Sequence, residues 1–223
     1  MRITIVTIFP EYFQVPLSLS IPAQAAGAGS VEYRVVNLRD YTHDKHRTVD
    51  DYPYGGGAGM VMKPEPFFEA VEALACAPPI VLMSARGERF TQAHAHRYAQ
   101  GGELTLLCGH YKDVDQRVGD FLATEELSLG DFVLSGGEPA ALAVVDAVVR
   151  LLPGAMSDPE SARTDSHFTV PSVVSAPSYT RPPVFRGHEV PEVLLSGHHE
   201  RIAAWRASTG RRVRHPDSDP PSR

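Results

Sequence analysis

The sequence predicts an α/β fold with a largely parallel sheet over residues 1–150. Three observations predict it. Apolar runs of strand length recur along this stretch, helix-like stretches lie between them, and glycine-bearing loops follow several of the runs. Composition agrees with a packed core, because 43% hydrophobic and 22% charged residues are ordinary values for a folded chain of this length.

The elements follow in order. Residues 3–9, 79–83, 104–108 and the neighbours of Leu127 read as buried strands, rich in Ile, Val and Leu. The stretches 64–75, 91–99 and 114–122 between them read as helices. The clearest helix spans 138–152: Gly137 precedes it, Pro139 stands in its first turn, and Pro153-Gly154 end it. It is apolar almost all round apart from the row Glu138, Asp146 and Arg150, which predicts burial in a large core or against another subunit. After Gly154 the texture changes. Prolines 159, 171, 177, 182 and 183 fall among serines and threonines with little periodicity, as in a linker. An amphipathic helix over 198–208 follows, stopped by Gly210, and then a polar tail over 215–223 that is expected to fray. The organisation expected is therefore a ligand-binding α/β domain over 1–155, a flexible linker over 156–172 and a small helical domain over 173–223.

Several classes are excluded. The 18 glycines and 19 prolines carry no collagen period, and no apolar run is long enough to span a bilayer. The first residues alternate as a strand and show no cleavable signal pattern. Cys76 and Cys108 stand alone, outside any CxxC pair, which argues against a disulfide scaffold or a zinc ribbon. A cytosolic protein without membrane contact is expected.

Charge is uneven. The net charge is −6, yet residues 1–155 carry −7 and residues 156–223 carry +1. Within 181–214 seven arginines, Arg181, Arg186, Arg201, Arg206, Arg211, Arg212 and Arg214, face three glutamates. That stretch reads either as a phosphate-facing surface or as an ordinary solvated face.

The motifs narrow the chemistry. Gly55-Gly56-Gly57-Ala58-Gly59-Met60 does not spell GxGxxG, no GxxxxGK occurs, and Val133 stands where a nucleophile elbow before Ser135 needs glycine. His43/His46 and His94/His96 have ligand-like spacings without a third ligand, so no metal site is expected. What remains is a set of glycine-bearing loops after strands: 84–87 beginning at Ser84, 109–113 beginning at Gly109, and 130–138. In an open α/β sheet such loops line the ligand crevice, where glycine lets the backbone approach a ligand. Leu129, Phe132, Val133 and Leu134 would add apolar walls for a flat heterocycle, so a nucleotide-like ligand is expected.

Taken together, the motifs resemble a known family. His43-Asp44-Lys45-His46-Arg47-Thr48-Val49-Asp50-Asp51 runs into Pro53-Tyr54-Gly55-Gly56-Gly57-Ala58-Gly59-Met60. Leu107-Cys108-Gly109, Gly130-Asp131-Phe132-Val133-Leu134-Ser135-Gly136-Gly137-Glu138, Tyr179-Thr180-Arg181-Pro182 and Val193-Leu194-Leu195-Ser196-Gly197 follow in order. Over residues 1–212 the chain is similar to the bacterial tRNA (guanine-N1)-methyltransferases, enzymes that use S-adenosylmethionine to methylate the guanosine at position 37, just 3′ of the anticodon. The resemblance implies a fold of the SPOUT class, an open and mostly parallel sheet with a trefoil knot at the C-terminal end of the sheet domain, and a small helical C-terminal domain that docks on the anticodon stem-loop. It also implies a homodimer whose active sites are shared between subunits.

Residue by residue, the resemblance assigns Ser84, Gly109, Leu129, Gly130, Asp131, Phe132, Val133, Leu134, Gly136 and Gly137 to the cofactor. Asp165, in Thr164-Asp165-Ser166-His167-Phe168, matches the general base, and Arg150 matches the catalytic arginine. Asp50, Gly55, Gly56, Gly57 and Gly59 border the target guanosine. Arg181, Arg211 and Arg212 fall in the basic stretch that would meet tRNA. The chain departs from the family where Cys-Gly-Arg-Tyr-Glu-Gly is common, for it has Cys108-Gly109-His110-Tyr111-Lys112-Asp113. Lys112 replaces a carboxylate near the substrate, which leaves a requirement for Mg2+ open. Ala85 stands where Ser-Pro is usual, and the sequence stops before the further C-terminal helix of many members, leaving the tRNA footprint open. Two rival readings are a sibling SPOUT enzyme acting on a ribose hydroxyl or another base, and a non-catalytic RNA-binding protein.

Overall fold

The computed structural model describes residues 1–156, 165–168 and 173–212. The chain divides into two compact units, Met1–Ser157 and Asp158–Arg223. The first is built on β1 (Arg2–Thr7), β2 (Glu32–Asn37), β5 (Ile80–Arg89), β6 (Glu103–Cys108) and β8 (Glu125–Ser128), all parallel, in the order β2-β1-β6-β5-β8. Beside it lies a small sheet of β3 (Asp50–Asp51), β4 (Val61–Met62) and β7 (Asp113–Val114).

Among the described residues six α-helices complete this unit: α1 (Glu11–Leu17), α2 (Ser20–Gly27), α3 (Pro64–Ala73), α4 (Gln92–Ala99), α5 (Gln116–Phe121) and α6 (Glu138–Val149). Successive strand residues point to opposite faces, so each strand feeds two cores. Ile3, Ile5, Val81, Met83, Leu104 and Leu106 pack on one face with Phe13 of α1, Ala25 of α2, Tyr98 of α4 and Val144 and Val148 of α6. Val6, Leu82 and Leu107 pack on the other with Phe67 and Val71 of α3 and Val118 of α5. The result is a three-layer unit whose central strands are buried on both sides, which is why they read as continuous apolar runs.

The four expected strands and the helices of this unit are present, with ends shifted by a few residues. The small sheet of β3, β4 and β7 lies outside the sequence reading, and so do β2, α1 and α2. β2 is an edge strand, Glu-Tyr-Arg-Val-Val-Asn, in which no residue is fully buried, so it carries no apolar run. α1 contains Pro16 and α2 contains Pro22, and proline reads as a breaker in sequence. α6 ends at Val149 rather than at residue 152. Its residues Ala140, Ala141, Val144, Val145, Val148 and Val149 are buried against the sheet, α1, α2 and α4. The apolar helix is thus covered mainly by its own chain, while Leu142, Ala143 and Ala147 stay at least partly exposed.

In the second unit β9 (Val173–Val174) pairs antiparallel with β12 (Arg211–Arg212), and β10 (Val184–Phe185) forms a hairpin with β11 (His188–Glu189). Arg186 and Gly187, both at positive φ, make its two-residue turn. α7 (Glu192–Leu195) and α8 (His199–Thr209) follow, and Gly210 caps α8 as expected. Trp205 of α8 packs against Tyr179, ring centroids 6.3 Å apart. The expected linker over 156–172 lies largely outside the described residues, as does the tail over 215–223.

Candidate active site

Three loops, one interrupting β5 and two leaving the carboxyl ends of β6 and β8, line one cavity of about 200 Å³. The first is an excursion of β5 itself. Met83 and Glu88 both pair with Leu127, so the residues between them, from Ser84 to Gly87, bulge out of the sheet and return to it. The second loop runs from Gly109 to Asp113, and the third from Leu129 to Gly137. Its end doubles back on the second: His110 and Gly136 form a β-bridge, and the Gly137 amide donates to the Gly109 carbonyl at 2.8 Å. Gly137 is required by this approach, since a Cβ there would lie 2.9 Å from the Cys108 Cα and 3.1 Å from the Met83 Cβ.

Behind the loops sits a buried carboxylate. Glu138, the first residue of α6, is 2% exposed. It accepts a hydrogen bond from the Thr7 hydroxyl at 2.7 Å, and the same hydroxyl accepts from the Phe9 amide at 2.9 Å. His110 Nδ1 stands 3.8 Å from the other carboxylate oxygen. Glu138 therefore joins the end of β1, the loop after β6 and the start of α6. Burial, reinforced by this negative charge, pushes the Cys108 thiol well above its ordinary range.

Of the residues assigned to the cofactor, Ser84, Gly109, Leu129, Gly130, Phe132, Val133, Leu134, Gly136 and Gly137 all line this cavity. Asp131 does not line it, and its exposed carboxylate pairs with Arg89 at 2.9 Å. Met83, Arg86, His110, Tyr111, Lys112 and Val114 line it as well. The sequence signal for His110 to Lys112 was their place in a glycine loop after a strand; Met83 and Val114 read as core and carried no such signal.

The glycine run sits beside the cavity. Gly55, Gly56, Gly57 and Gly59 all have positive φ, between 79° and 113°, a region that side chains other than glycine's rarely adopt. The Lys112 side chain lies along Gly57 and Gly59 and lines the cavity too, linking run and cavity. Asp50, on β3, pairs with Met62 of β4. Arg150 caps the carboxyl end of α6 and is half-buried. Asp165, Arg181 and Arg211 are exposed in the second unit, where Arg211 and Arg212 form β12. Arg214 lies outside the described residues. Among the described residues no group of three His, Cys, Asp or Glu could hold a metal ion, and no helix is long and apolar enough to cross a membrane.

A family model described as tRNA (Guanine-1)-methyltransferase TrmD matches residues 1–217. The chain belongs to this family. Proteins named tRNA (guanine-N(1)-)-methyltransferase from Dehalococcoides mccartyi and Halalkalibacterium halodurans are each 51% identical over 210 residues, covering 92% of this chain and 84% or 85% of the relative. One of the same name from Gloeobacter violaceus is 51% identical over 230 residues, covering 99% of both chains. A methyltransferase of the TrmD family implies S-adenosylmethionine as methyl donor, and the cavity fits such a molecule. Its glycine loops expose backbone donors and acceptors to polar groups, Gly136 and Gly137 leave no room for a side chain, and Leu129, Phe132 and Leu134 offer apolar surface to a ring.

Proposed function

We propose that this chain methylates N1 of the guanosine at position 37 of tRNA, 3′ of the anticodon. The observation that carries the reading is the convergence of three glycine loops on one cavity in a chain of the TrmD family. The loops hold S-adenosylmethionine, with Ser84, Gly109, Leu129, Gly130, Phe132, Val133, Leu134, Gly136 and Gly137 around it, and Asp131 at the surface fixing the loop through Arg89. Asp50 and the run Gly55 to Gly59 border the target base.

When bound, S-adenosylmethionine supplies an electrophilic methyl group. Guanine N1 carries a proton and is a poor nucleophile until that proton leaves. Asp165 takes it, and Arg150 stabilises the negative charge that grows on O6 as it goes. Arg181, Arg211 and Arg212 bind tRNA phosphate, with residues 173–223 acting as a small tRNA-binding domain joined through 156–172 to the methyltransferase domain over 1–155. Methylation assayed with Mg2+ and with a chelator in its place reads out whether the metal takes part.

The knot of the SPOUT class is part of the reading. The loop after β8 returns to bond the loop after β6, and the β5 excursion brings Gly87 so close to the Glu126–Leu127 backbone that no side chain fits there. The enzyme acts as a homodimer in the cytoplasm, with active sites shared between subunits; the partly exposed Leu142 and Ala147 and the exposed Ala143 of α6 support a contact of this kind. The test is mass spectrometry of nucleosides after incubation with S-adenosylmethionine and an unmodified tRNA carrying guanosine at position 37. The expected product is 1-methylguanosine. A 2′-O-methylated nucleoside would move the chain to a sibling activity, and no product with intact tRNA binding would make it a binding protein.

A further inference from the structure

Lys112 lines the cavity with an exposed side chain that the proposed chemistry does not use. Its amide donates to the Met60 carbonyl at 3.0 Å, and the next two residues form β7, which pairs with β4, so the backbone under it is fixed. Its side chain runs over the glycine run: a Cβ on Gly59 would lie 3.2 Å from the Lys112 Cβ, and one on Gly57 3.4 Å from its Nζ. The run is shaped to leave this side chain its course.

The ammonium at its end has no acceptor among the described residues. The neighbouring carboxylates are already engaged: Asp113 holds Arg86 at 2.9 Å and Asp115 holds Arg117 at 2.7 Å. A cation that lines a cavity, held along a bare backbone and left without a counter-charge, is suited to an anion brought in by a ligand.

We infer that Lys112 is a positioning residue whose ammonium binds an oxyanion carried into the cavity by a reactant. The oxyanion is either a phosphate of the nucleotides around the target guanosine or the carboxylate of S-adenosylmethionine. The inference rests on the cavity being the reaction site, and binding measurements separate its fate from that of the reaction.

Lys112→Met keeps the methylene stem over Gly59 and removes the charge, while Lys112→Arg keeps a cation. Binding of an unmodified tRNA transcript is measured over a range of salt, S-adenosylmethionine binding is measured by calorimetry, and kcat and KM are resolved. If phosphate is the ligand, Lys112→Met weakens tRNA binding about tenfold, the size expected for one hydrogen bond to a charged group. It also lowers the salt slope by about one, raises KM for tRNA more than it lowers kcat, and leaves the cofactor alone. If the carboxylate is the ligand, cofactor affinity falls by about the same factor and the salt slope stays. In both cases Lys112→Arg restores most of the loss. Unchanged tRNA affinity, salt slope and cofactor affinity in Lys112→Met would overturn the inference. Loss of binding in Lys112→Met, alongside a wild-type protein that makes no 1-methylguanosine, would uphold it and overturn the assigned reaction instead.

Discussion

Thr7→Val tests whether the buried carboxylate behind the cavity holds the site together. The substitution preserves shape and removes a hydroxyl with two duties, donating to Glu138 at 2.7 Å and accepting from the Phe9 amide at 2.9 Å. A hydrogen bond to a charged group contributes about 1.5–3 kcal/mol and a neutral one about 0.5–1.5 kcal/mol. Glu138 is 2% exposed, so water cannot replace the lost donor without opening the core. The expected cost is about 3 kcal/mol, or roughly 6–12 °C in Tm for a chain of this size. Urea unfolding followed by circular dichroism should show a lower midpoint with an unchanged slope. Because the loss comes from stranding a charge, Thr7→Val combined with Glu138→Met should cost clearly less than the two single changes added together. A single-mutant cost below about 0.5 kcal/mol, the level of an ordinary surface change, or strict additivity in the double mutant, would refute the reasoning.

Asp165→Asn should lower the single-turnover methylation rate by roughly a hundred- to ten-thousand-fold, the span of one general base, with tRNA and cofactor affinities unchanged; near wild-type rates would remove Asp165 from that role. Gly137→Ala forces a methyl against Cys108 and Met83 and should destabilise the fold by about 1–3 kcal/mol, with cofactor binding lost in calorimetry; normal binding would show that the loop tolerates a side chain. The raised Cys108 pKa keeps its sulfur a neutral thiol at and well above neutral pH, so a thiol reagent should label the half-buried Cys76 in the native protein and Cys108 only after unfolding; equal labelling would contradict the burial.

The central sheet was legible because β1, β6 and the first four residues of β5 are buried on two faces and show it as uninterrupted apolar runs, whereas the edge strand β8 offered only Leu127. β2 was not legible, since an edge strand alternating Glu32, Arg34 and Val36 presents no run to read. The loops of the cavity were legible as glycine clusters after strands, but their mutual approach was not. Nothing in the residues says that Gly137 will donate to Gly109, or that Glu138 will reach Thr7, 131 positions away. These contacts depend on the order of strands in the sheet, which puts β6 beside both β1 and β5. Asp131 shows the opposite limit. Its place between Gly130 and Phe132 suggests a ligand contact and gives no sign of the ion pair that it makes with Arg89.

Charge has the last word on how a polyanion would reach this site. Residues 1–155 carry a net −7, so this stretch as a whole repels RNA. At physiological salt that repulsion fades over about 8 Å, which leaves the outcome to charges in direct contact with the substrate. Near the cavity several cations are already neutralised: Arg86 by Asp113, Arg89 by Asp131 and Arg117 by Asp115. Lys112 stands apart from them, and the stretch from residue 181 to 214 has a surplus of four positive charges. An acidic body with a few uncompensated cations binds RNA poorly at random and better where its phosphates meet those cations together. Such a distribution trades overall affinity for register, and register is what placing one guanine N1 against a methyl donor demands.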